Sequence, residues 1–128
     1  MMSAKSYIDH AKQQRIFVES YRYSPYWCGN SDCDEIVKNM DLALLNLCKA
    51  ILSSNGIEFN GRTPEEIIKY TSTNGLFYSE ISTIEGHRSF WEHAARRRDR
   101  TSKNFQLGCV TNCLESLENH IIREYNIK

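Results

Sequence analysis

Two prolines and six glycines are the only strong chain breakers among 128 residues, so the segments between them must be long. No apolar run approaches the ~18 residues that a membrane-spanning helix needs. No charged start leads into an apolar block of the kind that marks a secretory signal. Both absences point to the cytoplasm and away from a membrane. There is no surplus of one charge either: sixteen Lys and Arg balance sixteen Asp and Glu, which excludes a protein that coats nucleic acid through overall basicity. Any affinity for phosphate has to be local. Internal repeats, heptad arrays and low-complexity tails are also missing, and the length suits a single domain over residues 1–128.

Cysteine is present in an odd number, Cys28, Cys33, Cys48, Cys109 and Cys113, which suits reduced thiols better than a disulfide framework. Cys28, Cys33, Cys109 and Cys113 can be read as a four-cysteine zinc site. The spacing argues against it, because zinc knuckles pair cysteines two residues apart on a turn, whereas Cys109 and Cys113 fall in a helical pattern. No metal and no cofactor is therefore expected. Neither a Gly-rich phosphate loop, nor a nucleophile elbow, nor H-E-x-x-H occurs.

Between the breakers the apolar spacing is helical. Residues 4–22 carry an uneven stripe of Tyr7, Ala11, Ile16 or Gln14, Val18 and Tyr21. "SPYWCGNSDC" follows as an aromatic-rich loop; with Tyr21 and Tyr23, its Tyr26 and Trp27 could stack bases but suit a plug over the bundle end better. From Asp34 to Ser53, Val37, Met40, Leu44, Leu47, Cys48 and Ile51 recur at steps of three and four. Gly56 stops that helix, and Thr63, Pro64 and Glu66 restart the chain as N-cap, first helical residue and capping-box partner. A fourth helix is expected over about 78–101, with a break near Gly86, and a fifth over about 104–125, where Leu107, Val110, Leu114, Leu117 and Ile121 are spaced three, four, three, four. No segment alternates with period two for long enough to form a sheet. The pattern predicts an all-α, four- to five-helix up-and-down bundle.

The cations concentrate in "EGHRSFWEHAARRRDRTSK", residues 85–103. On a helix, Phe90, Trp91, Ala94 and Ala95 would pack inward while His93, Arg96, Arg97 and Arg100 fall on the other side. A solvated face laced with ion pairs such as Glu92 to Arg96 accounts for part of this. It does not account for "RRR" near a helix end, where mutual repulsion persists unless an anion is present. Arg88 and His93 also form an R-x4-H element, a guanidinium able to clamp a phosphate and an imidazole able to take a proton from a ribose 2′-OH. His87 is a second imidazole, expected at the helix break, and His10 and His120 read as surface residues.

With "DLALLNLCKAILSSNGIEFNGRTPEEII" and the Arg/His element together, residues 34–125 resemble the HEPN domains, small helical bundles of toxin–antitoxin, abortive-infection and CRISPR systems. The resemblance implies a HEPN-like bundle, a homodimer, action on RNA and, where the motif is intact, metal-independent endoribonuclease activity with Arg88 and His93 as catalytic pair. It also implies Arg96, Arg97, Arg98, Arg100 and Lys103 as nucleic-acid or partner contacts, and a setting that includes a cognate antitoxin. Ser89 stands where the family has Asn, Asp or His. A second register, Arg98-Asp99 with Lys103, puts lysine in the histidine position and would describe a member that binds without cutting. The other reading open at this point is a non-catalytic, phage- or plasmid-encoded helical protein that occupies a nucleic-acid-binding complex, as inhibitors of CRISPR machinery do.

Overall fold

The stripe that begins near residue 34 folds into the helix around which the others gather. The computed structural model describes residues 2–22, 30–75, 78–95 and 100–128. Its described residues form five helices and no strand: α1 (Ala4–Ser20), α2 (Asn30–Ser54), α3 (Pro64–Asn74), α4 (Tyr78–Ala95) and α5 (Arg100–Glu124). The protein is an all-α bundle. α2 touches each of the other four, and α1 meets α5, α5 meets α4, and α4 meets α3, so four helices form an arc around a central one.

The reason lies in the composition of α2. Ile36, Met40, Leu44, Leu47, Cys48, Ala50, Ile51 and Leu52 are all at most 1 % exposed. That set is wider than one face, so no single neighbour can cover it. Each buried Leu or Ile contributes roughly 1.5–3 kcal/mol relative to exposure. α5 supplies the complementary stripe, with Leu107, Val110, Leu114, Leu117 and Ile121 all buried at the expected spacing. In α1 the uneven stripe resolves in favour of Gln14: Ile16 points out and is 58 % exposed, while Gln14 Oε1 accepts a hydrogen bond of 2.9 Å from Asn46 Nδ2 of α2.

The ends of the elements follow local chemistry. Gly56 takes φ 71°, and the Ile57 amide donates to the Leu52 carbonyl at 2.9 Å, a left-handed termination that turns the chain towards α3. Thr63 caps α3 by accepting from the Glu66 amide, with Pro64 behind it. Glu66 accepts in return from the Arg62 amide at 2.8 Å. Phe59 then packs on Tyr70 with ring centroids 4.9 Å apart, which docks the connector.

Three boundaries differ from the sequence pattern. α2 starts at Asn30, because its first turn is polar and leaves no apolar periodicity. α4 runs unbroken through Gly86, since Ile81, Ile84 and Trp91 bury on both sides of it and outweigh the ~1 kcal/mol that an interior glycine costs. α4 ends at Ala95, and Arg100 to Lys103 belong to α5. Phe90, expected inside with Trp91, is 46 % exposed.

One polar staple joins α1 to α5. Arg15 Nε donates to both oxygens of Glu118, at 2.9 and 3.2 Å, and Glu118 is 1 % exposed. Burial pushes the Glu118 carboxyl above its ordinary value, with Arg15 and Lys12 pulling in the opposite direction. A carboxyl with a raised folded-state pKa binds protons more readily when folded, so its contribution to stability falls as pH rises through the interval between the ordinary and the raised value. Raising the pH from about 4 to about 7 is therefore expected to cost the wild type more stability than it costs Glu118→Gln. Urea-unfolding midpoints across that range check this; the opposite sign would mean that the Arg15 pair outweighs burial.

Candidate functional site

Arg88 sits on the inward side of α4, one turn after Ile84 and three residues before Trp91, both fully buried. Its side chain is therefore aimed at α2 and α3 and is only 15 % exposed. Nε donates to Asp41 Oδ1 at 3.1 Å, Nη2 pairs with Glu65 Oε1, and Nη1 lies 4.0 Å from Glu85 Oε1. The guanidinium thus joins carboxylates from three helices. The capped restart at Thr63 and Pro64 places Glu65 in the first turn of α3, where the helix dipole also favours an acid.

His93 lies five residues on, about 140° around the helix axis from Arg88, and is exposed. Within one chain the two side chains do not converge, and Arg88 is neutralised by acids rather than presented to solvent. Arg96, Arg97, Arg98 and Asp99 lie outside the described residues. For Arg100 and Lys103 the structure describes only the helical backbone, so the second register spans the junction from α4 to α5. Arg22, the one cation next to the N-terminal aromatics, lies over Gly108 of α5, where a Cβ would come 2.5 Å from its Cζ. Tyr23, Tyr26 and Trp27 are outside the described residues. Tyr21 meets Phe17 edge-on at 5.5 Å.

A second polar site has no counterpart in the sequence pattern. A groove of about 530 Å³ runs between α4 and α5, lined by Ser79, Glu80, Thr83 and His87 on one side and Asn112, Cys113, Ser116, Leu117 and His120 on the other. His87 is a mid-helix residue rather than the start of one, and it and His120, unrelated in the sequence, share this groove. Spacing groups the residues of each wall but does not pair the walls: Ser79, Thr83, His87 and Phe90 follow steps of four, four and three, and Phe105, Cys109, Asn112, Ser116 and His120 follow steps of four, three, four and four. Glu80 accepts from the Tyr125 hydroxyl at 3.4 Å, and burial followed by Glu80 pushes that phenol up to about 12.

Cys48 is fully buried, and burial, then Glu85, pushes its thiol up to about 12, which makes it a core thiol without nucleophilic character. Cys109 and Cys113 lie on successive turns of α5, half-buried. Cys28 and the Cys33 side chain are outside what the structure describes. Among the described residues no three His, Cys, Asp or Glu side chains converge as metal ligands do. No helix among them is long and apolar enough to cross a membrane. Comparison with protein-family models, with curated proteins and with solved structures gave no match.

Removing the guanidinium would leave Asp41, Glu65 and Glu85 facing one another. Arg88→Ala is expected to lower the unfolding free energy by about 1–3 kcal/mol, the range for a hydrogen-bonded charged group. Arg88→Lys should recover only part of it, because an ammonium cannot fork between two carboxylates. His93→Ala should change stability by no more than about 0.5 kcal/mol. Chemical denaturation of the three variants checks the order.

Proposed function

We propose that this protein is an RNA-binding helical module that acts through the cation-rich stretch Arg96, Arg97, Arg98, Arg100 and Lys103, and that Arg88 and His93 do not form a cleavage site within a single chain. The supporting observation is the division of labour among the arginines. Arg88 is consumed by Asp41, Glu65 and Glu85, whereas the other five cations lie within eight positions where the chain passes from α4 to α5. In a protein of zero net charge such a cluster supplies a local phosphate-binding field, since each neutralised phosphate releases counterions. The resemblance to HEPN domains supports RNA as the target and a toxin–antitoxin or defence setting. Occupation of a nucleic-acid-binding complex is the protein-partner form of the same surface.

A second reading rests on the exposure of His93. A homodimer paired along α4 could bring His93 of one copy to a phosphate held by the other. Catalysis would then need the dimer, the imidazole taking the 2′-OH proton as the 2′-oxygen attacks phosphorus and the P–O5′ bond breaks, with water protonating the departing 5′-oxygen.

Mixed RNA in EDTA separates these readings. Binding without cleavage is expected, with log K falling linearly against log salt. Changing Arg96, Arg97 and Arg100 together to Ala should weaken binding and flatten that slope by about one for each phosphate that is no longer neutralised. His93→Ala should leave affinity unchanged. Cleavage with cyclic phosphate ends, reduced by roughly a hundredfold or more in His93→Ala, together with a dimer by sedimentation, would establish the second reading. Wild-type protein with neither cleavage nor salt-sensitive binding would remove RNA altogether.

A further inference from the structure

The geometry points to the outer face of the α4–α5 hairpin as a base-stacking track for a single-stranded polynucleotide, with Phe90 and Phe105 as platforms and the His87–His120 groove as a seat for one nucleotide. This rests on the RNA-binding reading and adds the form of RNA that is bound and the residues that contact its bases.

Four observations carry it. α4 and α5 run antiparallel, because Glu80 in the first turn of α4 meets Tyr125 just beyond the end of α5, while His87 shares the groove with Asn112. Phe90 lies five residues before the end of α4 and Phe105 five residues after the start of α5, so both stand near the cation-rich end. They are 46 % and 68 % exposed, which is unusual for large aromatics in a bundle whose other described large apolar side chains on these two helices are buried or half-buried, and each continues the stripe that lines the groove on its own helix. Exposed aromatics beside a basic stretch are the combination with which proteins hold single strands, bases stacking on rings while phosphates follow the cations. A duplex keeps its bases inside and cannot use such rings.

The groove itself has the size and chemistry for one unstacked nucleotide. His87 lies eight residues from Ser79, so the groove extends about 12 Å along α4. Asn112 offers an amide that both donates and accepts, Ser116 and Thr83 offer hydroxyls, and the two imidazoles can stack or hydrogen-bond. Among the described residues that line it, Glu80 is the one acid, and its carboxylate already accepts from Tyr125. The approach of a phosphate therefore meets little repulsion. The five cations that lie between Phe90 and Phe105 in the sequence favour a polyanion over an apolar helix or a second copy as occupant.

The test uses the full chain, a fluorescein-labelled single-stranded oligouridine, the same length of duplex RNA, and single-stranded oligothymidine. Single strands are expected to bind more tightly than duplex. Phe90→Ala with Phe105→Ala should weaken single-strand binding about tenfold or more while leaving the salt slope unchanged, and Asn112→Ala with His120→Ala should weaken it further. Ile16→Ala, which removes an exposed apolar side chain on α1, should have no effect, and far-ultraviolet circular dichroism should show all variants folded. If the triple arginine variant weakens binding but the Phe and groove variants do not, the track is wrong and the RNA-binding reading stands. If neither set matters, both are wrong. Preference for duplex overturns the track. So does a Phe90→Ala, Phe105→Ala variant that loses self-association by sedimentation and not RNA affinity, because the face would then be a contact between copies. Tighter binding of oligothymidine than oligouridine retains the track and makes DNA its ligand.

Discussion

Everything in this bundle depends on α2 being apolar around most of its circumference. A helix of that kind cannot be stabilised by one partner, because a single neighbour covers only a stripe and leaves the remaining Leu and Ile side chains in water. α1, α3, α4 and α5 each bury a different part of it. The order of the arc, α1 beside α5, α5 beside α4, α4 beside α3, covers the apolar sectors of α2 and leaves Asp34, Glu35 and Lys38 on its exposed side. The polar contacts are then placed between the outer helices or at the edges of their contacts with α2: Arg15 with Glu118 on α1 and α5, Gln14 with Asn46 on α1 and α2, Arg88 with Asp41, Glu65 and Glu85 on the α2, α3 and α4 side.

The carboxylates around Arg88 illustrate how packing assigns a role to a residue whose chemistry allows several. A guanidinium free in solvent is a phosphate ligand. One that projects from the same face as Ile84 and Trp91 is drawn towards α2 and α3, where leaving its charge unpaired would be costly. Three acids on three helices meet that need and, through it, tie the short capped α3 to the body of the fold. The arginines nearer the α4–α5 junction have no comparable apolar neighbours in sequence.

Much of the architecture was legible in the sequence because it depends on local periodicity. The stripe of α5 was readable in full, as were the cap at Thr63, the proline behind it and the glycine stop at Gly56, since each is set within a few residues. The starts of α2 and α5 and the end of α4 were less legible. Polar first turns carry no apolar signal, and Gly86 has the local chemistry of a break while long-range burial on both sides keeps the helix intact. The position of Phe90 departs from the pattern for a related reason: adjacent helical residues differ by about 100° around the axis, and α4 buries the narrow stripe of Ile81, Ile84 and Trp91, which leaves Phe90 on the groove side.

The sequence by itself determined that the chain is an all-α bundle, that 34–53 and 104–125 bear the main apolar stripes, and that its charge is neutral overall and basic locally. These follow from composition and from spacing along one dimension. Only the tertiary structure decided that Arg88 is paired with Asp41 and Glu65, that Gln14 rather than Ile16 faces inward, and that His87 and His120 line one groove. Each of those facts concerns residues far apart in the chain, brought together because the helices that carry them must pack against α2, and no spacing rule within a single helix contains that information.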